Sequence, residues 1–235
     1  MTEHTVAAFD DDLGQIGRLI QGMADLAGAM VSGATHALLT ADNAQAQRIV
    51  SDDALMDARQ RELDERAITL IARRQPMADD LRSVVGAIRM AGDLERIGDL
   101  AKNIAKRVAA VGESAVPREL SHSIDGMAQL VLEQVRGVMA HYSAQDAAGL
   151  ITLRDDDERI DVKYTSVFRE LLTYMMEDPR NITACTHLLF CAKNLERIGD
   201  HVTNIAENAY YVMTGQQLPA HRPKSDEMVM SAPAA

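Results

Sequence analysis

Six consecutive residues occur twice in this chain: Leu94-Glu95-Arg96-Ile97-Gly98-Asp99 returns as Leu195-Glu196-Arg197-Ile198-Gly199-Asp200. The match continues in register, since Asn103-Ile104-Ala105 returns as Asn204-Ile205-Ala206. A repeat of this length restricts the chain to a duplicated architecture in which one local structure is built twice. Each copy holds two carboxylates at spacing i, i+4. On a helix that spacing advances about 400°, so both carboxylates share one face, one turn apart.

Proline placement divides the duplicated chain into helices. None of the six prolines lies before Pro76, so two long helices fit in the first 75 residues. The first is predicted over about 11–39, where Leu13, Ile16, Leu19, Ile20, Met23, Leu26, Ala27 and Met30 form an apolar stripe at spacings of three and four. The second is predicted over about 44–74. Pro76 then opens a third, running to about Val111. Gly112-Glu113-Ser114-Ala115-Val116-Pro117 reads as the boundary between halves. Helices over about 118–140, 144–176 and 178–213 complete the second half, the last opened by Asp178-Pro179. The expected fold is all-α: two tandem pseudo-symmetric three-helix bundles over 1–113 and 114–214, then a disordered tail over 215–235.

Composition agrees with helices. Hydrophobic residues make up 47% of the chain and aromatics 3%, with 13 Met and no Trp, which leaves few strand formers. The net charge of −11 argues against nucleic-acid binding and against adsorption to anionic lipid. No signal peptide is recognised and no apolar run approaches the length of a membrane span, so a cytoplasmic protein is expected. Cys185 and Cys191 fall on different faces of one helix and read as reduced thiols.

Beside Glu95/Asp99 and Glu196/Asp200, the preceding helix of each half carries its own pair, Asp53/Asp57 and Asp157/Asp161. The pairs lie at similar distances from the intervening prolines, so a hairpin brings each helix's pair level with its neighbour's. Four facing carboxylates repel, and a divalent or trivalent metal ion is the natural counter-charge. Oxygen ligands suit hard ions. The halves differ on this face: Lys102 and Lys106 follow Glu95, whereas Thr203 and Glu207 follow Glu196. The second site is thus more acidic, and the lysines are candidates to neutralise the first. Arg96 and Arg197 point about 100° away, and Gly98 and Gly199 suit close helix approach. Solvated acidic surface is the plainer reading of any single pair. His187 and Cys191, also i, i+4, have zinc-ligand spacing but no matching second pair, so core packing is favoured. Catalysis is not indicated. A ferritin-like di-iron oxidase needs Glu-x-x-His, and here Gly98 and Gly199 stand three residues after the glutamates.

Arg74-Gln75-Pro76, Asp80-Leu81-Arg82, the Leu-Glu-Arg-Ile-Gly-Asp copies and Met176-Glu177-Asp178-Pro179-Arg180-Asn181 together resemble the PhoU family over about residues 5–215. The resemblance implies a non-enzymatic cytoplasmic regulator of phosphate homeostasis. Such a protein links the ATPase of the phosphate ABC transporter to a phosphate-sensing histidine kinase and restrains uptake and starvation signalling. It also implies a homodimer and metal clusters of iron, manganese, magnesium or zinc. Carried over by position, the ligands would be Asp53, Asp57, Glu95, Asp99, Asp157, Asp161, Glu196 and Asp200. A carboxylate-bridged metalloenzyme and a purely structural helical adaptor stand as alternatives.

Overall fold

The computed structural model describes residues 2–112 and 118–218. Among them there are helices and no strands: α1 (Thr2–Thr40), α2 (Asn43–Arg74), α3 (Asp79–Ala105), the single turn α4 (Val108–Val111), α5 (Arg118–Ser143), α6 (Ala147–Asp155), α7 (Glu158–Glu177) and α8 (Ile182–Thr214). A 3-10 turn, Pro179–Asn181, leads into α8. The six long helices of the two expected bundles are present, with α6 and α7 forming one of them in two pieces.

The differences from the sequence reading have local causes. Helix α1 begins well before residue 11, at Thr2. Gln75 adopts a left-handed conformation (φ 49°) and closes α2 by donating to the Ile71 carbonyl, so Pro76 falls in the loop and α3 starts only at Asp79. Helix α3 stops at Ala105 instead of running to Val111. The predicted fifth helix breaks at Asp156-Asp157, within a run of four acids, Asp155 to Glu158, that combines weak helix formers with like charge. Most of the expected 112–117 boundary, and the expected tail from 219 onward, lie outside the described residues.

The duplication reaches into the turns. Ala41 (φ 55°) and Gln145 (φ 54°) are left-handed residues just ahead of Asp42 and Asp146. The Asp42 amide donates back to the Ala37 carbonyl at 3.0 Å and the Asp146 amide to that of His141 at 2.9 Å. Each aspartate then caps the next helix, accepting from the Gln45 amide at 2.9 Å and the Gly149 amide at 3.0 Å. One turn, with one hydrogen-bond pattern, is built twice.

Helices α1, α2 and α3 pack on one another, and so do α5, α7 and α8, with α6 laid along α8 and α5. The bundles lie side by side. Helix α3 packs extensively on α8, and α1 meets α5. Contacts along the α3–α8 seam run in opposite chain directions: Arg82 lies over the Tyr211 ring, Gly86 faces Val212, Asp93 meets His201 and Asn204, and Arg107 stacks on Phe190. The helices are therefore antiparallel, and a single apolar core crosses the seam, with Met90, Leu94, Ile97 and Ile104 from α3 and Leu195, Ile198, Val202 and Ile205 from α8 all buried. The connecting tips expose apolar side chains, Met77 and Leu81 between α2 and the start of α3, Met176 at the end of α7 and Ile182 at the start of α8. No helix among the described residues is long and apolar enough to cross a membrane.

The repeated glycine lets α2 and α7 come close to α3 and α8, but its neighbours differ. A methyl added at Gly98 would meet Met56 Cγ and Cε at 3.3 and 3.4 Å, the flexible part of a thioether side chain. At Gly199 it would meet Asp157 Oδ1 at 2.8 Å and Ile160 Cδ1 at 3.0 Å. Gly98→Ala should be near neutral, whereas Gly199→Ala should cost about 1–3 kcal/mol, read as a drop of several degrees in melting temperature. Both cysteines are buried and unlinked, and burial pushes the Cys191 thiol up to about 12 against the pull of the Arg107 charge. A raised thiol pKa favours folding fully below the ordinary value, and that contribution is lost as pH rises toward the folded value. Neither thiol should react with a thiol reagent at pH 8 until denaturant is added, and Cys191→Ala should remove part of the alkaline loss of stability above pH 9.

Candidate functional site

The first-half carboxylates converge where α2 crosses α3. Asp53, Asp57, Glu95 and Asp99 are all partly buried. Burial raises the Glu95 pKa above its ordinary value, and the charges of Asp99, Asp57 and Asp53 add to it, while Arg96 opposes. The two helix pairs are level, since Asp53 of α2 and Asp99 of α3 share the ammonium of Lys102. The charge is met from within: Lys102 Nζ donates to Asp53 Oδ2 at 2.7 Å and to Asp99 Oδ1 at 2.6 Å, tying one oxygen from each helix. Its side chain is only 18% exposed. Burial alone would lower the Lys102 pKa, but the hydrogen bonds to both aspartates and their charges reverse this and raise it. Arg96 is exposed and lies on its own helix's acids, 3.5 Å from Glu95 and 3.3 Å from Asp99. Lys106, the other flanking lysine, is exposed.

The second-half set is arranged differently because of the break between α6 and α7. Asp157 sits in the break and turns inward, 1% exposed, with its carboxylate against Gly199. Asp161 follows one turn later on α7 and is partly buried, as are Glu196 and Asp200 on α8. Lys193 Nζ, 46% exposed, donates to Glu196 Oε1 at 2.7 Å and lies 5.2 Å from the Tyr164 ring. Where the first half has Lys102, the second has Thr203. It is 5% exposed, and its hydroxyl finds no hydrogen-bond partner among the described residues.

All eight predicted residues thus lie on the two crossings the repeat implies. Among the described residues no three His, Cys, Asp or Glu side chains are gathered tightly enough to ligate one ion as they stand. The donor chemistry nevertheless fits a hard cation: only oxygens are presented, and in the first half they already gather around a positive charge. The zinc alternative does not fit, because His187 Nδ1 is engaged by Arg107 at 3.1 Å and Cys191 is fully buried.

His201 has Leu100 as its counterpart in the repeat, so the halves differ here. Across the seam its Nδ1 pairs with Asp93 Oδ1 at 2.9 Å, which also accepts from Asn204 Nδ2 at 3.3 Å. Nothing in the spacing signals this contact, which joins helices about a hundred residues apart. It borders a polar cleft of about 940 Å³ whose walls include Arg89, Glu95 and Arg96 from α3 and Asp200, Thr203 and Glu207 from α8. The cleft touches both carboxylate sets from one side.

The PhoU domain model matches twice, over residues 20–108 and 124–209, one match per bundle. The phosphate-specific transport system accessory protein PhoU homolog of Rhizobium meliloti is 53% identical over 95% of this chain and 94% of its own length. The homolog of Caulobacter vibrioides is 45% identical over 96% of this chain and 98% of its own length. The crystal structure of PhoU from Pseudomonas aeruginosa superposes with a TM-score of 0.84 at 33% identity, covering 88% of this chain and 100% of that one. PhoU from Streptococcus pneumoniae, the phosphate transport system regulatory protein, gives 0.83 at 28% identity, covering 90% and 99%. Two matched repeats, end-to-end relatives and a shared tertiary fold place this chain in the PhoU family.

Proposed function

We propose that this protein is a cytoplasmic, non-enzymatic regulator of phosphate homeostasis that restrains phosphate uptake and phosphate-starvation signalling. It acts as a homodimeric adaptor between the ATPase of a phosphate ABC transporter and a phosphate-sensing histidine kinase. The observation that carries this reading is the end-to-end likeness to phosphate-transport accessory proteins, at 53% identity for the Rhizobium meliloti relative. The site chemistry agrees with an adaptor. The conspicuous side chains are carboxylates held between packed helices, and such groups respond to cations by changing how tightly the helices are bound together.

The same reading includes metal ions on the carboxylate sets. In the second half Asp157, Asp161, Glu196 and Asp200 would supply the oxygens. In the first, Asp53, Asp57, Glu95 and Asp99 would do so once Lys102 had withdrawn. A bound ion would supply charge neutralisation between helices, and oxygen donors favour iron, manganese and magnesium over softer partners, with zinc also accommodated.

Deleting the gene is expected to derepress phosphate-starvation genes and raise phosphate uptake at high external phosphate, measured by a reporter and by uptake of labelled phosphate. Unchanged expression and uptake would overturn the regulatory reading. For the sites, chelator-treated protein should melt several degrees higher when manganese is added at about a hundredfold its Kd, as ligand linkage requires. An Asp99→Ala/Asp200→Ala variant should lose most of that rise.

A further inference from the structure

We propose that the second bundle binds an aminopurine nucleoside monophosphate, of the adenosine monophosphate type, in a cavity lined by α5, α6 and α7. The site is separate from the carboxylate crossings and goes beyond the regulatory reading. The cavity measures about 380 Å³, within the size range of small-molecule sites. Leu130, Leu153 and Ile160 give it apolar walls, and the Gln134 amide lines it beside them. Gln134 is 9% exposed, and its Oε1 is buried with no hydrogen-bond partner among the described residues. A buried acceptor left without a donor is destabilising, and a ligand N–H would relieve it. The charged members of the lining, Glu133, Asp156 and Arg159, are exposed.

The duplication supplies an internal control. The twin turns set Asp42 level with Asp146, and in that register Ile20, Met23 and Ala27 of α1 fall on Ile124, Met127 and Val131 of α5, all buried. Gln134 then stands where the first half has Met30, and Ile160 where it has Met56, two methionines with no exposed surface. Gly149 stands where the first half has Gln45, whose side chain meets His36 Nδ1 at 2.8 Å. The glycine is required by the His141 ring, with which a methyl at that position would collide. That ring is held by Asp146, Nδ1 to Oδ2 at 2.9 Å, and forms part of the cavity wall. Glu133 and Arg159 replace Ala29 and Leu55. Positions that carry apolar packing in one copy thus line a cavity in the other, with one amide inside and charges at the surface.

The lining chemistry selects the ligand. A primary amide pairs with the amino group and adjacent ring nitrogen of adenine, its oxygen accepting from the amine. Apolar walls suit the faces of a flat ring. Carboxylates accept hydrogen bonds from ribose hydroxyls, a role open to Glu133 and Asp156. One guanidinium suits one phosphate group, and the lining holds one arginine and no lysine. A longer phosphate chain would bring further negative charge toward Glu133 and Asp156 with no second cation to meet it, so the monophosphate is the member that fits.

The test is calorimetric titration of the full chain with AMP, adenosine, IMP and ATP, with melting temperature recorded alongside. AMP should bind with a Kd below about 1 mM and raise the melting temperature. IMP, in which a carbonyl replaces the amino group, should bind at least about tenfold more weakly, and ATP more weakly than AMP. Gln134→Met, which restores the first-half residue, should melt at or above wild type without ligand and lose AMP affinity by at least about tenfold. Arg159→Leu, also the first-half residue, should bring AMP down toward the affinity of adenosine and leave adenosine unchanged. No AMP binding at millimolar concentration overturns the proposal. So does equal binding of AMP and IMP by wild type, a comparison that needs no variant to fold. AMP affinity unchanged in Gln134→Met places the nucleotide elsewhere and overturns it too.

Discussion

Four carboxylates cannot sit between two packed helices without positive charge among them. Two unit charges 4 Å apart repel by about 4 kcal/mol at the effective dielectric of a partly buried site, and four such groups multiply the problem. The helix crossings of both halves are shaped by that demand. In the first, α3 provides Lys102, and the α2–α3 contact is closed by charge-assisted hydrogen bonds from one ammonium to both helices. In the second, the helix that faces α8 is broken between α6 and α7, and Lys193 bonds Glu196. Asp157, in the turn between α6 and α7, is buried against Gly199. The same acidic motif thus sits on an unbroken helix in one copy and beside a helix break in the other.

The hydrophobic pattern carries the rest of the fold, with the charged crossings set into it. Met30, Met56, Leu94 and Ile97 around the first crossing are fully buried, as are Ile160, Leu195 and Ile198 around the second. Each fully buried side chain of this size contributes about 1.5–3 kcal/mol relative to exposure, so the apolar stripes dominate the free energy. The carboxylates determine what the assembled surface can bind. Their neighbours on the seam, Asp93 and His201, add a polar clasp between bundles whose shared core is apolar.

Much of this was legible in the residues. The repeat gave two units, the prolines gave the hairpins, and the i, i+4 acids gave crossings at matching heights, because each of these signals is local in sequence. Lys102 was visible as a neighbour on the right face, since helical periodicity fixes azimuth. Features that depend on tertiary contact were not visible. The antiparallel α3–α8 seam and the Asp93–His201 pair depend on how two bundles meet, which no local spacing encodes. The break at Ala41-Asp42 falls between predicted helices, but the left-handed geometry it shares with Gln145-Asp146 carries no signal, because such a residue is usually glycine or asparagine, and here alanine and glutamine take that role. The break at Asp156-Asp157 had a signal, four acids in a row, that the apolar periodicity on either side outweighed.

The antiparallel seam has a consequence for the reach of the molecule. Helix α8 has 33 residues, which at 1.5 Å each spans about 50 Å. One end of it lies beside the α2–α3 connection, where Gly215 meets Arg82, and the other end begins at the α7–α8 connection. The equivalent tips of the two halves, Met77 and Leu81 on one and Met176 and Ile182 on the other, therefore point out of opposite ends of a rod about 50 Å long. The protein is a two-headed rod. A single body touching both heads must itself extend over that distance, and two compact bodies can each take one head without meeting.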